Sequence, residues 1–102
     1  IIHFIENHLS EELSAKRIAA HFLVSESSIN QLFSKQISLS LYRYITQRRL
    51  IEAKNLISSQ TPLKKLPELC GFSDYSVFYK AFTKQYGISP KEYKNRIFKI
   101  QQ

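Results

Sequence analysis

Two stretches of the chain place polar side chains at helical spacing opposite a row of apolar ones. In the first, Ile29, Leu32 and Phe33 define the face that a helix would bury. The other face would carry only hydroxyl, amide and amino groups, at Ser27, Ser28, Asn30, Gln31, Ser34 and Lys35. Asparagine and glutamine amides can pair with the N6 and N7 atoms of adenine in a DNA major groove. A solvated helix surface would carry the same residue types, so the pattern leaves both interpretations open.

The second stretch is richer in aromatic and cationic groups. Phe78, Ala81 and Phe82 would face inward. The outward residues would be Tyr75, Ser76, Tyr79, Lys80, Thr83 and Lys84. Lysine can read guanine O6 and N7, while tyrosine offers a ring to a thymine methyl and a hydroxyl to a phosphate. We predict base-edge contacts from Tyr75, Ser76, Tyr79 and Lys80, with Lys84 on phosphate. Packing against a neighbouring helix is the alternative for Tyr79, but its position off the apolar stripe argues against it.

Residues for other chemistry are sparse. His3, His8 and His21 lack metal-ligand spacing and are expected at the surface or, for His21, at a boundary. A single cysteine, Cys70, can form neither an internal disulfide nor a Cys-rich zinc site, and we expect a buried thiol. The phosphate-binding, nucleophile-elbow and dinucleotide-binding glycine patterns do not occur. We therefore expect no enzyme activity, no cofactor and no metal.

The length and net charge of the chain indicate its size class and the kind of partner it binds. The chain has 102 residues, the length of one small domain, and a formal net charge of +7. Residues 1–35 carry three basic and four acidic groups, whereas residues 36–102 carry twelve basic and four acidic groups. This surplus favours a polyanionic partner, nucleic acid or an anionic membrane, over solubility alone. The longest apolar run is three residues, which excludes a transmembrane helix.

The elements that must position these groups are all helices. Glycine and proline are scarce and no segment alternates apolar and polar residues over a strand's length. Ser14 and Ser25 can act as N-caps, as can Thr61 before Pro62 and Ser89 before a proline. The pattern predicts an all-α fold of about seven helices, near residues 1–8, 15–22, 26–36, 40–58, 63–70, 74–86 and 90–98.

A weak internal repeat relates two of these helix pairs. The stretch 18–36 aligns with the stretch 66–85 at an offset of 48 residues before the turn and 49 after it. Each copy pairs a short amphipathic helix with a longer one, which we call the reading helix. This is the pattern of a helix-turn-helix unit, whose second helix can lie in a DNA major groove. An ordinary helical hairpin is the alternative for one copy, but two copies on a basic chain favour DNA.

The second copy resembles the AraC/XylS-type transcription regulators. The resemblance rests on Gly71-Phe72-Ser73-Asp74, Ser76, Phe78, Phe82, Gly87, Ser89-Pro90 and Tyr93. It extends to Leu32-Phe33, Tyr44-Ile45 and the run 49–53, and so covers essentially the whole chain. It implies a homeodomain-like fold with two helix-turn-helix units, at 1–38 and 60–102, joined by a connecting helix at 39–59.

The resemblance also implies a function and its residues. It implies sequence-specific binding of double-stranded DNA by a bacterial, cytoplasmic regulator, usually an activator that acts with RNA polymerase, and no membrane partner. In the first unit, base contacts would fall at Ser27, Asn30 and Gln31. A sensing or dimerisation domain is expected before Ile1, in keeping with the absence of any methionine.

Phosphate contacts are expected from exposed basic groups and from backbone N–H groups at helix starts. The predicted residues are Ser25, Lys35, Ser40, Arg43, Arg48, Ser73, Lys84, Lys91 and Arg96. Arg49 matches a near-constant arginine of the family, and a structural role and a DNA role are equally open for it. If one rigid helix joins the units, the reading helices would lie about 34 Å apart, one turn of DNA.

Two positions depart from the family pattern, and two other functions remain open. Pro67 requires either a kink or a late start of its helix, and we favour the late start. Ser38 stands where many members have glycine. A helical protein-interaction module would show a contiguous apolar stripe on its exposed faces. An RNA-binding domain would need stacking aromatics, for which Tyr75 and Tyr79 are the candidates.

Overall fold

The computed structural model describes residues 1–101, with side chains through Lys99. Within that range the chain forms seven α-helices and no strand, which confirms the predicted all-α class. The helices are α1 (Ile2–Asn7), α2 (Ala15–Phe22), α3 (Glu26–Leu32), α4 (Leu41–Ser58), α5 (Leu66–Cys70), α6 (Tyr75–Tyr86) and α7 (Pro90–Gln101). A π-helical turn, Phe33–Ile37, continues α3, and a 3₁₀ turn, Leu63–Lys65, precedes α5. Of these helices, none is both long and apolar enough to cross a membrane.

The chain divides into two compact units, Ile1–Arg48 and Arg49–Gln102, and α4 contributes to both. Unit 1 closes around one apolar core. Its buried residues are Ile5, Ile18, Ala19, Ile29, Phe33, Leu41 and Ile45. The Ser14 hydroxyl accepts a hydrogen bond from the Arg17 N–H at 3.1 Å, which confirms this predicted N-cap of α2. Ile29 of α3 and Phe33 of the π-helical turn are therefore buried as their spacing predicts, whereas Leu32 is only partly buried.

Unit 2 has a separate core built on the matching helix faces. Its buried residues are Leu50, Ala53, Ile57, Leu66, Cys70, Phe78 and Phe82. Cys70 is fully buried, as predicted, and burial, followed by the charge of Glu52, raises the pKa of its thiol to about 12 against an opposing effect of Arg49. The predicted N-cap at Thr61 is wrong. Pro62 occupies the cap position of the 3₁₀ turn, and no side chain there bonds to the turn's backbone.

The late start predicted for the helix at Pro67 is confirmed. The α-helical part of this segment begins at Leu66, so Pro67 lies in its first turn. A proline is tolerated there because the first N–H groups of a helix have no partner within the helix. The Pro67 carbonyl accepts hydrogen bonds from the N–H groups of Gly71 and Phe72, at 3.0 and 2.8 Å. The proline thus helps to close a short helix at both of its ends.

The structure repeats the capping pattern from one unit to the next. The reading helices α3 and α6 have their N-caps at Ser25 and Asp74, 49 residues apart. The preceding helices end in left-handed residues, Leu23 and Gly71, with φ values of 57° and 90°. The following loops also match, because the left-handed Ser38 and Gly87 and the caps Ser40 and Ser89 are again 49 residues apart. The weak sequence repeat therefore reflects two units with the same local geometry.

Candidate nucleic-acid interface

The first reading helix, α3, starts at a serine cap. The Ser25 hydroxyl accepts a hydrogen bond from the Ser28 N–H at 3.1 Å and lies 2.9 Å from the Ser28 hydroxyl. Ile29 is buried, and this sets the direction of the opposite face. The predicted base-contact residues on that face are all exposed, at Ser27, Asn30 and Gln31. The helix thus offers amide and hydroxyl groups to a partner, and no positive charge before Lys35.

The second reading helix, α6, starts at an aspartate. The Asp74 carboxylate accepts a hydrogen bond from the Val77 N–H at 2.8 Å, and Phe78 and Phe82 fix the buried face. The four predicted base-contact residues are exposed: Tyr75, Ser76, Tyr79 and Lys80. The structure thus brings them together on the first turns of one helix, as predicted.

The two tyrosines of α6 differ in how firmly they are held. The Tyr75 ring packs edge-on against the buried Phe78, with centroids 5.6 Å apart. Burial, and then the neighbouring Tyr79, raise the pKa of Tyr75. Tyr79 stacks obliquely on Tyr75 at 6.4 Å and remains 44% exposed. Tyr75 therefore has a structural role beside its predicted contact role, and Tyr79 is the freer of the two.

Two residues of α6 differ from the sequence-based expectation. Thr83 was predicted to face outward, but its hydroxyl oxygen is buried and has no hydrogen-bond partner within the described part of the chain. Val77 was not singled out, yet it is 43% exposed on the outward face. The signal that could have found it is its spacing, because Val77 lies three residues before Lys80 and seven before Lys84.

The predicted phosphate-binding cations fall into two groups. Five are exposed on the surface, and the sixth, Arg48, is partly exposed; the exposed ones are Lys35, Arg43, Lys84, Lys91 and Arg96. Two arginines form ion pairs within their own units. Arg48 lies 3.2 Å from a Glu6 carboxylate oxygen, and its Nε atom is buried without a hydrogen-bond partner among the described residues. Arg96 pairs with Glu92 at 2.8 Å. A phosphate would have to compete with these carboxylates, which weakens the case for Arg48 above all because it is only partly exposed.

The helix starts named as phosphate sites also differ. At Ser25 and Ser40 the hydroxyl caps the helix and adds no charge. The Ser40 hydroxyl accepts a hydrogen bond from the backbone N–H of Arg43 at 3.1 Å. At Ser73 the helix has not yet begun, and the adjacent cap is the carboxylate of Asp74. The N-terminus of a helix attracts anions, and at α6 the Asp74 carboxylate already lies where a phosphate would bind. The geometry therefore favours phosphate contacts near Ser25 and Ser40 over one near Ser73.

Arg49 is half-buried in unit 2, and its charge partly offsets the burial that raises the pKa of the Cys70 thiol. This placement favours the structural alternative for Arg49 over a contact with DNA.

Two of the three histidines, His8 and His21, lie against the Phe4 ring in unit 1. His8 places its Nδ1 atom 2.6 Å from the Phe4 carbonyl oxygen. The Phe4 ring stacks on His8, and its centroid lies 4.3 Å from that of His21. No group of three potential metal ligands occurs in the part of the chain that the structure describes. His8 and His21 therefore help to pack α1 within unit 1, whereas His3 is exposed.

Known proteins match both the sequence and this geometry. A family profile described as a helix-turn-helix domain matches residues 18–96. The probable transcriptional regulator LumQ of Photobacterium leiognathi is 36% identical over 94 residues, which are 91% of this chain and 38% of LumQ. The chain spans less than two thirds of the length of the curated relatives it matches.

Solved structures agree on the fold. A transcriptional regulator of Chromobacterium violaceum, of the AraC-type DNA-binding-domain class, matches with a TM-score of 0.85 and 24% identity, over 93% of this chain and 86% of that one. The DNA-binding domain of AdpA, solved with a target DNA, matches with a TM-score of 0.87 and 21% identity, over 93% and 86%. Together with the family profile, the capped and repeated helix pairs show that the chain belongs to the AraC/XylS-type family of helix-turn-helix domains.

Proposed function

We propose that the chain is the sequence-specific DNA-binding domain of a bacterial transcription regulator. The observation that carries the proposal is the repeated unit, in which two capped helices, α3 and α6, each bury an apolar face and expose a polar one. In a helix-turn-helix protein such a helix enters the major groove with its N-terminal residues against the base edges. We propose that α3 and α6 enter successive grooves about 34 Å apart.

The exposed groups support different contributions from the two helices. Asn30 and Gln31 of α3 can pair with adenine, and Lys80 of α6 can pair with guanine. Lys84 on α6, with Lys35, Arg43 and Lys91, would neutralise phosphates. The DNA-binding domain of AdpA, which has the same fold, was solved in complex with a target DNA. We therefore propose that duplex DNA is the partner, and that neither an enzyme substrate nor a cofactor is involved.

We also propose that this chain is part of a longer protein. We propose that a sensing or dimerisation domain accompanies this one, that the regulator acts in the cytoplasm, and that it activates transcription through RNA polymerase. The support is the family membership together with the greater length of the curated relatives.

Binding to duplex DNA can be tested by mobility shift and fluorescence anisotropy. A duplex selected from a random pool should bind more tightly than an unselected duplex at matched salt. With about 6–10 phosphate contacts, affinity should fall about 10³- to 10⁵-fold between 50 and 200 mM salt. A folded domain that binds no duplex at low salt would contradict the proposal and favour the helical protein-interaction module. Equal or tighter binding of RNA would instead favour an RNA-binding domain.

A pair of lysine variants separates base reading from general charge. Lys80→Ala should weaken binding to the selected duplex by about 5- to 150-fold, the range expected for a lost base contact of about 1–3 kcal/mol. Lys64→Ala is the matched control, because Lys64 is an exposed lysine of the same unit outside both reading helices. Equal losses for the two variants at every duplex sequence would reduce the role of Lys80 to charge alone.

A further inference from the structure

Val77 is an apolar residue on the exposed face of α6. Its side chain is 43% exposed, and it is not among the residues that form the unit 2 core. Its N–H donates to the Asp74 carboxylate at 2.8 Å, which fixes the first turn of the helix. A valine in a helix has one strongly preferred rotamer, so its methyl groups keep a defined direction without a packing partner. The residue is thus a partly exposed apolar group with a defined side-chain direction outside the unit 2 core.

The neighbours of Val77 place it beside the predicted base contacts. Lys80 and Lys84 follow it at steps of three and seven residues, so the three share one side of the helix. The tyrosine pair, Tyr75 and Tyr79, lies toward the other edge, with its rings 6.4 Å apart. Val77 therefore supplies an apolar group on the lysine side of the outward face.

The major groove offers such a side chain one specific partner. Base edges there carry hydrogen-bond donors and acceptors, and the apolar group among them is the C5 methyl of thymine. Resting on the proposed function, we propose that Val77 reads a thymine through its C5 methyl in the half-site bound by unit 2. The contact would remove both apolar groups from water, whereas a cytosine at the same position would present a polar edge without the methyl.

The first unit provides an internal comparison. The residue 49 positions earlier is Ser28, and its hydroxyl lies 2.9 Å from that of the cap Ser25. Ser28 offers no apolar surface of this kind. Methyl reading at this helix position is therefore expected in the unit 2 half-site and not in the unit 1 half-site.

Single thymine-to-deoxyuridine replacements test the contact, because each removes one methyl and leaves the base pairing intact. They are made one at a time in the duplex selected with the wild-type domain. For the wild type, one replacement in the unit 2 half-site should weaken binding about three- to fourfold, the value of one buried methyl. For Val77→Ala, the same replacement should change affinity by less than about 1.5-fold, while other replacements keep their wild-type effects.

Val24→Ala is the matched control, because Val24 is an exposed valine outside the reading helices. It should keep the wild-type response to every replacement. The proposal would be overturned if, at every thymine, the replacement weakened binding of Val77→Ala as much as binding of the wild type. A selected unit 2 half-site without thymine would also overturn it. Failure of the wild type to bind any duplex would instead remove the proposed function itself. Thermal unfolding checks that Val77→Ala remains folded.

Discussion

The helices α3 and α6 begin with the same hydrogen bond, from the third residue of the helix to the side chain of the cap, yet their exposed faces differ. On α3 the outward groups near the start are hydroxyls and amides, at Ser27, Asn30 and Gln31. On α6 one hydroxyl, that of Ser76, is joined by aromatic, aliphatic and cationic groups, at Tyr75, Val77, Tyr79 and Lys80. The equivalent geometry therefore carries two different recognition chemistries, and the choice between them lies only in the outward residues.

The units also differ in charge. Unit 1 has five basic and four acidic residues, whereas unit 2 has ten basic and four acidic residues. Electrostatic attraction to phosphates supplies sequence-independent affinity, and hydrogen bonds to base edges supply sequence discrimination. We infer that unit 2 supplies most of the electrostatic attraction to DNA as well as base contacts of its own, while unit 1 contributes mainly amide and hydroxyl contacts with little charge.

A third difference concerns backbone strain. At the two left-handed positions that the units share, unit 2 has glycine, Gly71 and Gly87, although it also holds Gln60 in this conformation at a φ of 67°. Unit 1 places Leu23 and Ser38 at the corresponding positions, with φ values of 57° and 61°. Residues with a Cβ atom pay about 1–2 kcal/mol for this conformation. At these two shared positions unit 1 therefore carries strain that unit 2 avoids, and the Leu23 side chain there is 92% exposed.

The largest expected effect comes from the matching core aromatics. Phe33→Ala and Phe82→Ala each remove a fully buried ring from one of the two cores, and each should cost about 3–5 kcal/mol. Hydrogen exchange should show the loss of amide protection first within the unit that carries the change. Equal loss in both units from either variant would show that the cores do not act separately.

Changes at the left-handed positions should have smaller and opposite effects. Gly87→Ala should destabilise the domain by about 1 kcal/mol, because alanine disfavours a φ of 77°. A steric clash does not contribute, because an added Cβ would meet no atom within 4 Å. Ser38→Gly should stabilise it by about 0.5 kcal/mol, because the relief of strain is partly offset by a more flexible unfolded chain. Urea unfolding measures both. A loss of stability in Ser38→Gly would remove strain as a difference between the units.

The smallest expected effect concerns the salt dependence of binding. Lys84→Gln removes a predicted phosphate contact and should lower the magnitude of the slope of log affinity against log salt by about 0.9. The loss of affinity between 50 and 200 mM salt should then be about three- to fourfold smaller than for the wild type. Gln31→Ala in unit 1 should weaken binding to the selected duplex and leave that slope unchanged. A reduced slope for Gln31→Ala, or an unchanged one for Lys84→Gln, would contradict the division of roles between the units.

The helices and most caps could be predicted because their signals are local. Ser14, Ser25 and Ser89 each accept the N–H of a residue three positions later, and the apolar spacing fixes the buried faces. The ion pair of Arg48 with Glu6 could not be predicted, because it joins residues 42 positions apart in sequence and depends on how α1 packs. The left-handed conformation of Leu23 was also missed, since leucine rarely adopts it and gives no local signal.

Base-by-base interference mapping tests the two-groove account most directly. The selected duplex is prepared with single major-groove modifications, and the bound and free fractions are compared. Our account predicts two clusters of interfering positions on one face of the DNA, with centres about 10 base pairs apart. One cluster should be altered by substitutions in α3 and the other by substitutions in α6. A single cluster, or two clusters both altered by the same helix, would contradict the claim that each unit reads its own groove.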